Sequence, residues 1–319
     1  MSTGELFPSS PKPNSVVLFE GSDRTLAAVW YSVLCLFSIG LHGFFIMGAR
    51  KLSGWTTDFA FTLLLTLSAV SLVRFIAELV ASVTSLFYMD WLQFQILWIA
   101  LGSLAYASYF SIVLLNLAIA IHRLIYTAFP FTASSYLNEH ATKTIFFLIC
   151  TCFVCFVVVL NTPLLGIRWM ASAMSWSVMK ARNGSLLRLL NRLSNYFVGV
   201  LNLVLYTLLM CVLACKRMIS FRRNHEIRMT LQVLCMVVIE MAFFFYWEYV
   251  DLSGFGLWNL VVAETTNLLF FDVLILPYLI LNKRIHTELK SVFLRNIRKV
   301  SPHNSTPPFV RATPILTIQ

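Results

Sequence analysis

Charge is scarce in this sequence. Of 319 residues, 12% are Asp, Glu, Lys or Arg and 59% are apolar, roughly half the charge of an ordinary soluble domain. A soluble fold could neither bury that much apolar surface nor stay dispersed with it exposed, so the chain calls for lipid. Glycine is also sparse, at 12 residues. With no internal repeat visible, this argues against the broken helices of many transporters. The seven cysteines (Cys35, Cys150, Cys152, Cys155, Cys211, Cys215 and Cys235) all fall within or beside apolar runs. There they read as small buried hydrophobes, and neither a disulfide framework nor zinc-ligand spacing emerges. No His/Glu metal pattern and no nucleophile elbow occurs, so no enzymatic activity, metal or cofactor is expected. The first 25 residues are polar and hold three prolines. A cleavable signal peptide is therefore not expected, and the first apolar run would itself direct insertion.

What is present is a series of apolar runs, each near the roughly 20 residues that a helix needs to cross a bilayer. They lie at about 26–49, 59–82, 94–124, 142–166, 195–215, 229–250 and 257–281. The expected fold class is all-α, a seven-transmembrane helix bundle. An extracellular tail (1–25) would precede the bundle (26–281). After it, Ile285, Leu289, Val292, Phe293, Ile297 and Val300 make one apolar stripe, with basic residues largely opposite. Residues 282–300 thus read as a short amphipathic helix on the anionic inner leaflet, and 301–319 as a disordered cytosolic tail.

The formal charge of +10 belongs to the loops rather than to a nucleic-acid surface. With the N-terminus outside, sixteen of the 24 lysines and arginines fall on the cytosolic side and seven outside. The positive-inside rule therefore favours a cytosolic C-terminus in a plasma-membrane protein. Five of the outer seven crowd between Arg168 and Arg192, a basic loop that could face an anionic ligand. That loop also holds Asn183-Gly184-Ser185, a glycosylation acceptor if extracytoplasmic.

Helix 3 is the most informative run. Gly102, Tyr109, Asn116 and Arg123 recur every seven residues and share one face, which Tyr106 borders. Such a polar stripe belongs inside the bundle, either bonding neighbouring helices or facing a ligand. Arg74 and Glu78, Glu240, Glu264 and Asp272 also fall within apolar runs, while Glu248 lies nearer the outer interface. A mid-membrane charge costs roughly 2.5–3.5 kcal/mol unless paired or hydrated. Arg74 and Glu78 stand one turn apart and can pair, and Glu264 could reach Arg74 from helix 7.

Ile121-His122-Arg123-Leu124 closes helix 3, with Pro130 seven residues on. Helix 7 ends in Leu276-Pro277-Tyr278-Leu279-Ile280, the amphipathic segment follows at once, and Glu226 precedes helix 6. In these features the chain resembles the rhodopsin-like G protein-coupled receptors. There an acid-Arg-aromatic triplet closes helix 3, an Asn-Pro-x-x-Tyr pattern closes helix 7, and an eighth helix lies along the membrane. The departures are plain. His122 replaces the acid, Leu124 the aromatic, Leu276 the Asn and Ile280 the Tyr. Trp98 stands where a disulfide cysteine would open helix 3, and helix 6 has no proline. The stretches from Asn116 to Phe131 and from Pro277 to Ile285 are similar to nematode serpentine chemoreceptors. No lysine lies between Lys216 and Lys283, which excludes an opsin.

The resemblance implies a chemosensory receptor that converts small-molecule binding into activation of a heterotrimeric G protein. The expected ligand residues are Arg74, Glu78, Tyr106, Tyr109, Phe244, Trp247 and Glu264, whose aromatic share favours an amphipathic or apolar ligand. The expected coupling and switch residues are Asn116, His122, Arg123, Glu226, Asp272, Pro277 and Tyr278. Among these, Asp272 would join Asn116 in a polar network, and Arg123 would leave Glu226 on activation. A ligand-gated channel or small-solute transporter is the rival reading, because buried charges suit it equally.

Overall fold

A computed structural model describes residues 19–56, 58–89, 94–129, 131–162, 165–178, 184–215, 224–250, 256 and 258–300. For the first half of the helix beginning at Asn224, the description is of backbone alone. Among the described residues, ten α-helices follow in chain order: α1 (Gly21–Ala49), α2 (Phe59–Leu86), α3 (Gln95–Ala128), α4 (Ala133–Tyr136), α5 (Glu139–Leu160), α6 (Gly184–Tyr196), α7 (Asn202–Cys215), α8 (Asn224–Tyr249), α9 (Trp258–Leu281) and α10 (Lys283–Val300). A π-helical turn, Phe197–Leu201, fuses α6 to α7. Between α5 and α6, β1 (Ile167–Met170) pairs antiparallel with β2 (Ser175–Val178), Trp169 opposite Trp176.

Among the described residues, six helices are long and apolar enough to cross a membrane: α1, α2, α3, α5, the fused α6–α7 and α9. The chain is a multi-pass helical membrane protein. α8 has the length, at 26 residues, and its sequence from 229 to 247 carries one charged residue, Glu240.

The side-chain pattern is inverted relative to a soluble bundle. α1 buries Tyr31, Cys35, Ser38, His42 and Phe45 at alternating spacings of four and three, one face of a helix. Its other face exposes Leu26, Val29, Val33, Leu36 and Phe37. Outward apolar residues over an inward polar stripe are what contact with hydrocarbon requires. α5 is the most outward-facing helix, with Phe147, Leu148, Val154 and Val158 all exposed.

α1, α2 and α3 form the packed centre, and α3 also meets α5, α7 and β1. Two close approaches set the ends of this unit. At one end a Cβ on Gly102 of α3 would sit 2.3 Å from the Ile167 carbonyl oxygen. Only glycine lets β1 lie that near the helix backbone. At the other end a Cβ on Gly48 would be 2.7 Å from Ile285 Cγ2, so α10 rests Ile285 and Leu289 directly on α1. Lys51 Nζ meets Glu288 Oε2 at 2.7 Å beside that contact.

The structure departs from the sequence expectations in two elements. The segment from Arg168 to Arg192 is a hairpin followed by a helix rather than an open loop, and α6 starts eleven residues before the expected Asn195. Leu187, Leu190 and Ser194 turn inward on one helical face, so the amphipathic α6 begins well outside the apolar run. Pro130 and Asn183, the tails 1–18 and 301–319, and the side chain of Glu226 lie outside the described residues.

Candidate functional site

At the hairpin end, a cavity of about 410 Å³ opens between α2, α3, β2, α6, α8 and α9. Arg74, Tyr106, Tyr109, Trp247 and Glu264 line it, joined by Trp176, Arg188, Arg192, Asn195, Glu248 and Asn267. Its floor is a compact charged group. Arg74 pairs with Glu264 of α9 through Nη2, and its Nη1 lies 3.2 Å from Glu78 Oε2, an ion pair one turn along α2. Trp176 Nε1 donates to the same Glu78 oxygen at 2.6 Å. One guanidinium therefore faces two carboxylates, and the other Glu78 oxygen has no hydrogen-bond partner. On the opposite wall, Tyr109 OH donates to Asn195 Oδ1 at 3.0 Å, and Asn195 Nδ2 donates to Glu248 Oε1 at 3.3 Å.

Two expected ligand residues stand elsewhere. Glu78 is wholly buried and does not line the cavity; it anchors Arg74 and, through Trp176, the hairpin. Phe244 does not line the cavity but fills the slot left by Gly199, where a Cβ would come within 2.1 Å of its ring. That glycine sits in the π turn, an irregularity that brings α8 against the fused α6–α7.

A second polar group lies deeper. Asn116 Nδ2 donates to Glu240 Oε1 at 2.7 Å, and Asn202 Nδ2 to Glu240 Oε2 at 3.0 Å. The expected link from Asn116 to Asp272 is thus absent, because Asn116 turns toward α8 and α7. Asp272 instead accepts from Ser38 Oγ at 2.7 Å and lies 3.4 Å from His42 Nε2. His42 Nδ1 is 3.1 Å from Ser68 Oγ. Ser68, His42 and Asp272 are the residue types of a hydrolytic triad, but the first two have no exposure and Asp272 has 3%. The group ties α1, α2 and α9 together.

Near the α10 end, Arg123 lies over the Tyr278 ring at 4.8 Å. His122 Nε2 is 3.4 Å from the Thr56 carbonyl oxygen and packs on Phe59 and Tyr126. Pro277 is buried inside α9 beside Tyr278. Among the described residues, no three His, Cys, Asp or Glu side chains converge as a metal would require.

The sequence reading passed over His42, Asn195, Asn202 and Trp176. His42 was findable, since a lone histidine within a span is an ionisable group in lipid like any acid. The three others gain their roles only from partners distant in sequence. No protein-family model and no curated protein matches the chain, so a functional reading rests on these residues and their geometry.

Proposed function

We propose that this chain is a G protein-coupled receptor of chemosensory type in the plasma membrane. In this reading α1, α2, α3, α5, α6–α7, α8 and α9 are its seven spans. α8 joins them on length, since 26 residues extend about 39 Å. The hairpin and the N-terminus face outward, while α10 lies on the cytosolic leaflet and the C-terminus is cytosolic.

The observation that carries the reading is the course of α3. At one end Tyr106 and Tyr109 border the cavity. Midway, Asn116 holds Glu240 of α8, and at the other end Arg123 meets Tyr278 of α9. A small amphipathic molecule in the cavity touches α3, α8 and α9 together, and the same three helices hold the polar contacts further down. Differential contacts at one end can then favour a second arrangement at the other, where a heterotrimeric G protein binds.

G protein activation in cells expressing wild type and Arg123→Ala, screened against a broad odorant panel, tests this. A ligand-evoked response that vanishes in Arg123→Ala at equal surface expression is expected. Ligand-evoked current in cells lacking G proteins would overturn the reading in favour of a channel.

A further inference from the structure

Two carboxylates on different helices line the cavity at the hairpin end, Glu264 of α9 and Glu248 of α8. Among the described residues, neither has a cation to itself. Arg74 divides its guanidinium between Glu264 and Glu78. Its pair with Glu264 runs through Oε1, which leaves Oε2 for an incoming donor. Glu248 Oε1 accepts from an uncharged donor, Asn195 Nδ2, at 3.3 Å. A carboxylate in a low-dielectric wall gains most from a charged donor.

What an incoming group can reach decides the sign. Arg74 is 1% exposed, whereas Glu264 keeps 11% of its side chain exposed and Glu248 is half-buried. On the walls made by α2, α8 and α9, carboxylate oxygen is therefore presented and guanidinium is not. Arg188 and Arg192 also line the cavity, but both stand exposed on α6. The wall is held ready as well. Tyr109 OH donates to Asn195 Oδ1, which turns the Asn195 amide toward Glu248. Trp247, beside Glu248, is fixed by ring contacts with Phe243 and Phe270 at 5.5 and 5.1 Å. Together with Tyr106 it offers aromatic faces to the same space, and such faces attract a cation.

We infer that the cavity takes a protonated amine on a compact apolar or aromatic frame. Its ammonium faces the Glu264 and Glu248 carboxylates, and its frame lies against Trp247 and Tyr106. The volume of about 410 Å³ falls within the range of small-molecule sites. This ligand class rests on reading the cavity as the receptor's ligand site, and it runs against the anion that the basic segment from Arg168 to Arg192 suggested.

The test uses matched probes that differ in charge alone: 2-phenylethylamine, 3-phenylpropanoate and 2-phenylethanol, then hexylamine, hexanoate and hexanol. Each is titrated into the full-length protein in neutral detergent at pH 7 while thermal unfolding is followed. An amine is expected to raise Tm by about 2–4 °C, and the acids and alcohols to leave it unchanged. Glu264→Gln and Glu248→Gln should each weaken the amine about tenfold or more. Glu248→Gln keeps an oxygen for Asn195, so it removes charge without unseating its neighbour. Lys290→Gln, at the far end, should leave binding intact. No rise with either amine overturns the ligand class. So do equal rises across a series, which mark apolar partitioning, and a rise with an acid that Arg188→Gln removes, which assigns an anion. G protein activation in cells, read in parallel, separates the two readings. An amine that binds but activates nothing keeps the amine site and strikes the receptor, whereas activation by an alcohol without amine binding does the reverse.

Discussion

Two buried polar groups share α2 and α9 yet are built differently. Near the hairpin, Arg74 stands between Glu78 and Glu264 and borders an open cavity. Deeper, Ser38, His42, Ser68 and Asp272 close on one another, Ser38, His42 and Ser68 without exposure. The first has a surplus of carboxylate and room for an incoming group. The second sets one carboxylate against one imidazole, and it braces three helices. Ionisable residues inside a bundle are thus not equally informative about function; what adjoins them separates a site from a strut.

The largest break in that comparison should come from Arg74→Met. It leaves Glu78 and Glu264 facing each other without a cation, and removing one partner of a buried pair costs about 3–5 kcal/mol. Thermal unfolding in detergent should register a far larger fall than for Asp272→Asn; equal falls would erase the distinction drawn here.

Gly102→Ala should follow, because the added Cβ meets a backbone oxygen at 2.3 Å and neither side can swing away. Overpacking of this kind costs about 1–3 kcal/mol. Hydrogen exchange should rise across Ile167–Val178 while α5 keeps its protection.

Asp272→Asn should cost about 1 kcal/mol, since it weakens the contact with His42 and leaves Ser38 a carbonyl acceptor. Unchanged basal and evoked signalling would confine this group to bracing. Smallest of all, Lys51→Gln removes a half-exposed pair with Glu288 and should shift stability by less than about 1 kcal/mol. A larger drop would mean that α10 is pinned by charge rather than by Ile285 beneath Gly48.

These contrasts also mark how far the sequence could be read. The apolar runs announced their helices because hydrocarbon imposes length and composition at once. Arg74 and Glu78 were legible as a pair because both lie on one helix, where spacing is fixed by geometry. Glu264 could be named as a reachable partner, but Asn116 was matched with the wrong acid. Its real partner, Glu240, depends on how α8 is rotated against α3, and no spacing within a single helix records that. The hairpin was missed for another reason. Ile167-Arg168-Trp169-Met170 and Ser175-Trp176-Ser177-Val178 hold two tryptophans and two β-branched residues between them, and the joining Ala171-Ser172-Ala173-Met174 has no Gly, Pro, Asn or Asp. The hairpin signal is therefore weak, and it lies in a stretch read by its charge. His42 went unweighed because formal charge counts omit a neutral imidazole.

The hairpin has one more consequence. All seven cysteines are free thiols, and the hairpin is seated by Trp169 on Ser85, Trp176 on Glu78 and the bare backbone of Gly102. Its fastening is therefore indifferent to redox conditions. Dithiothreitol should leave both the cap and the cavity as they were, and maturation requires no oxidase or disulfide isomerase to set them. Each fastening can also release and re-form without a covalent step.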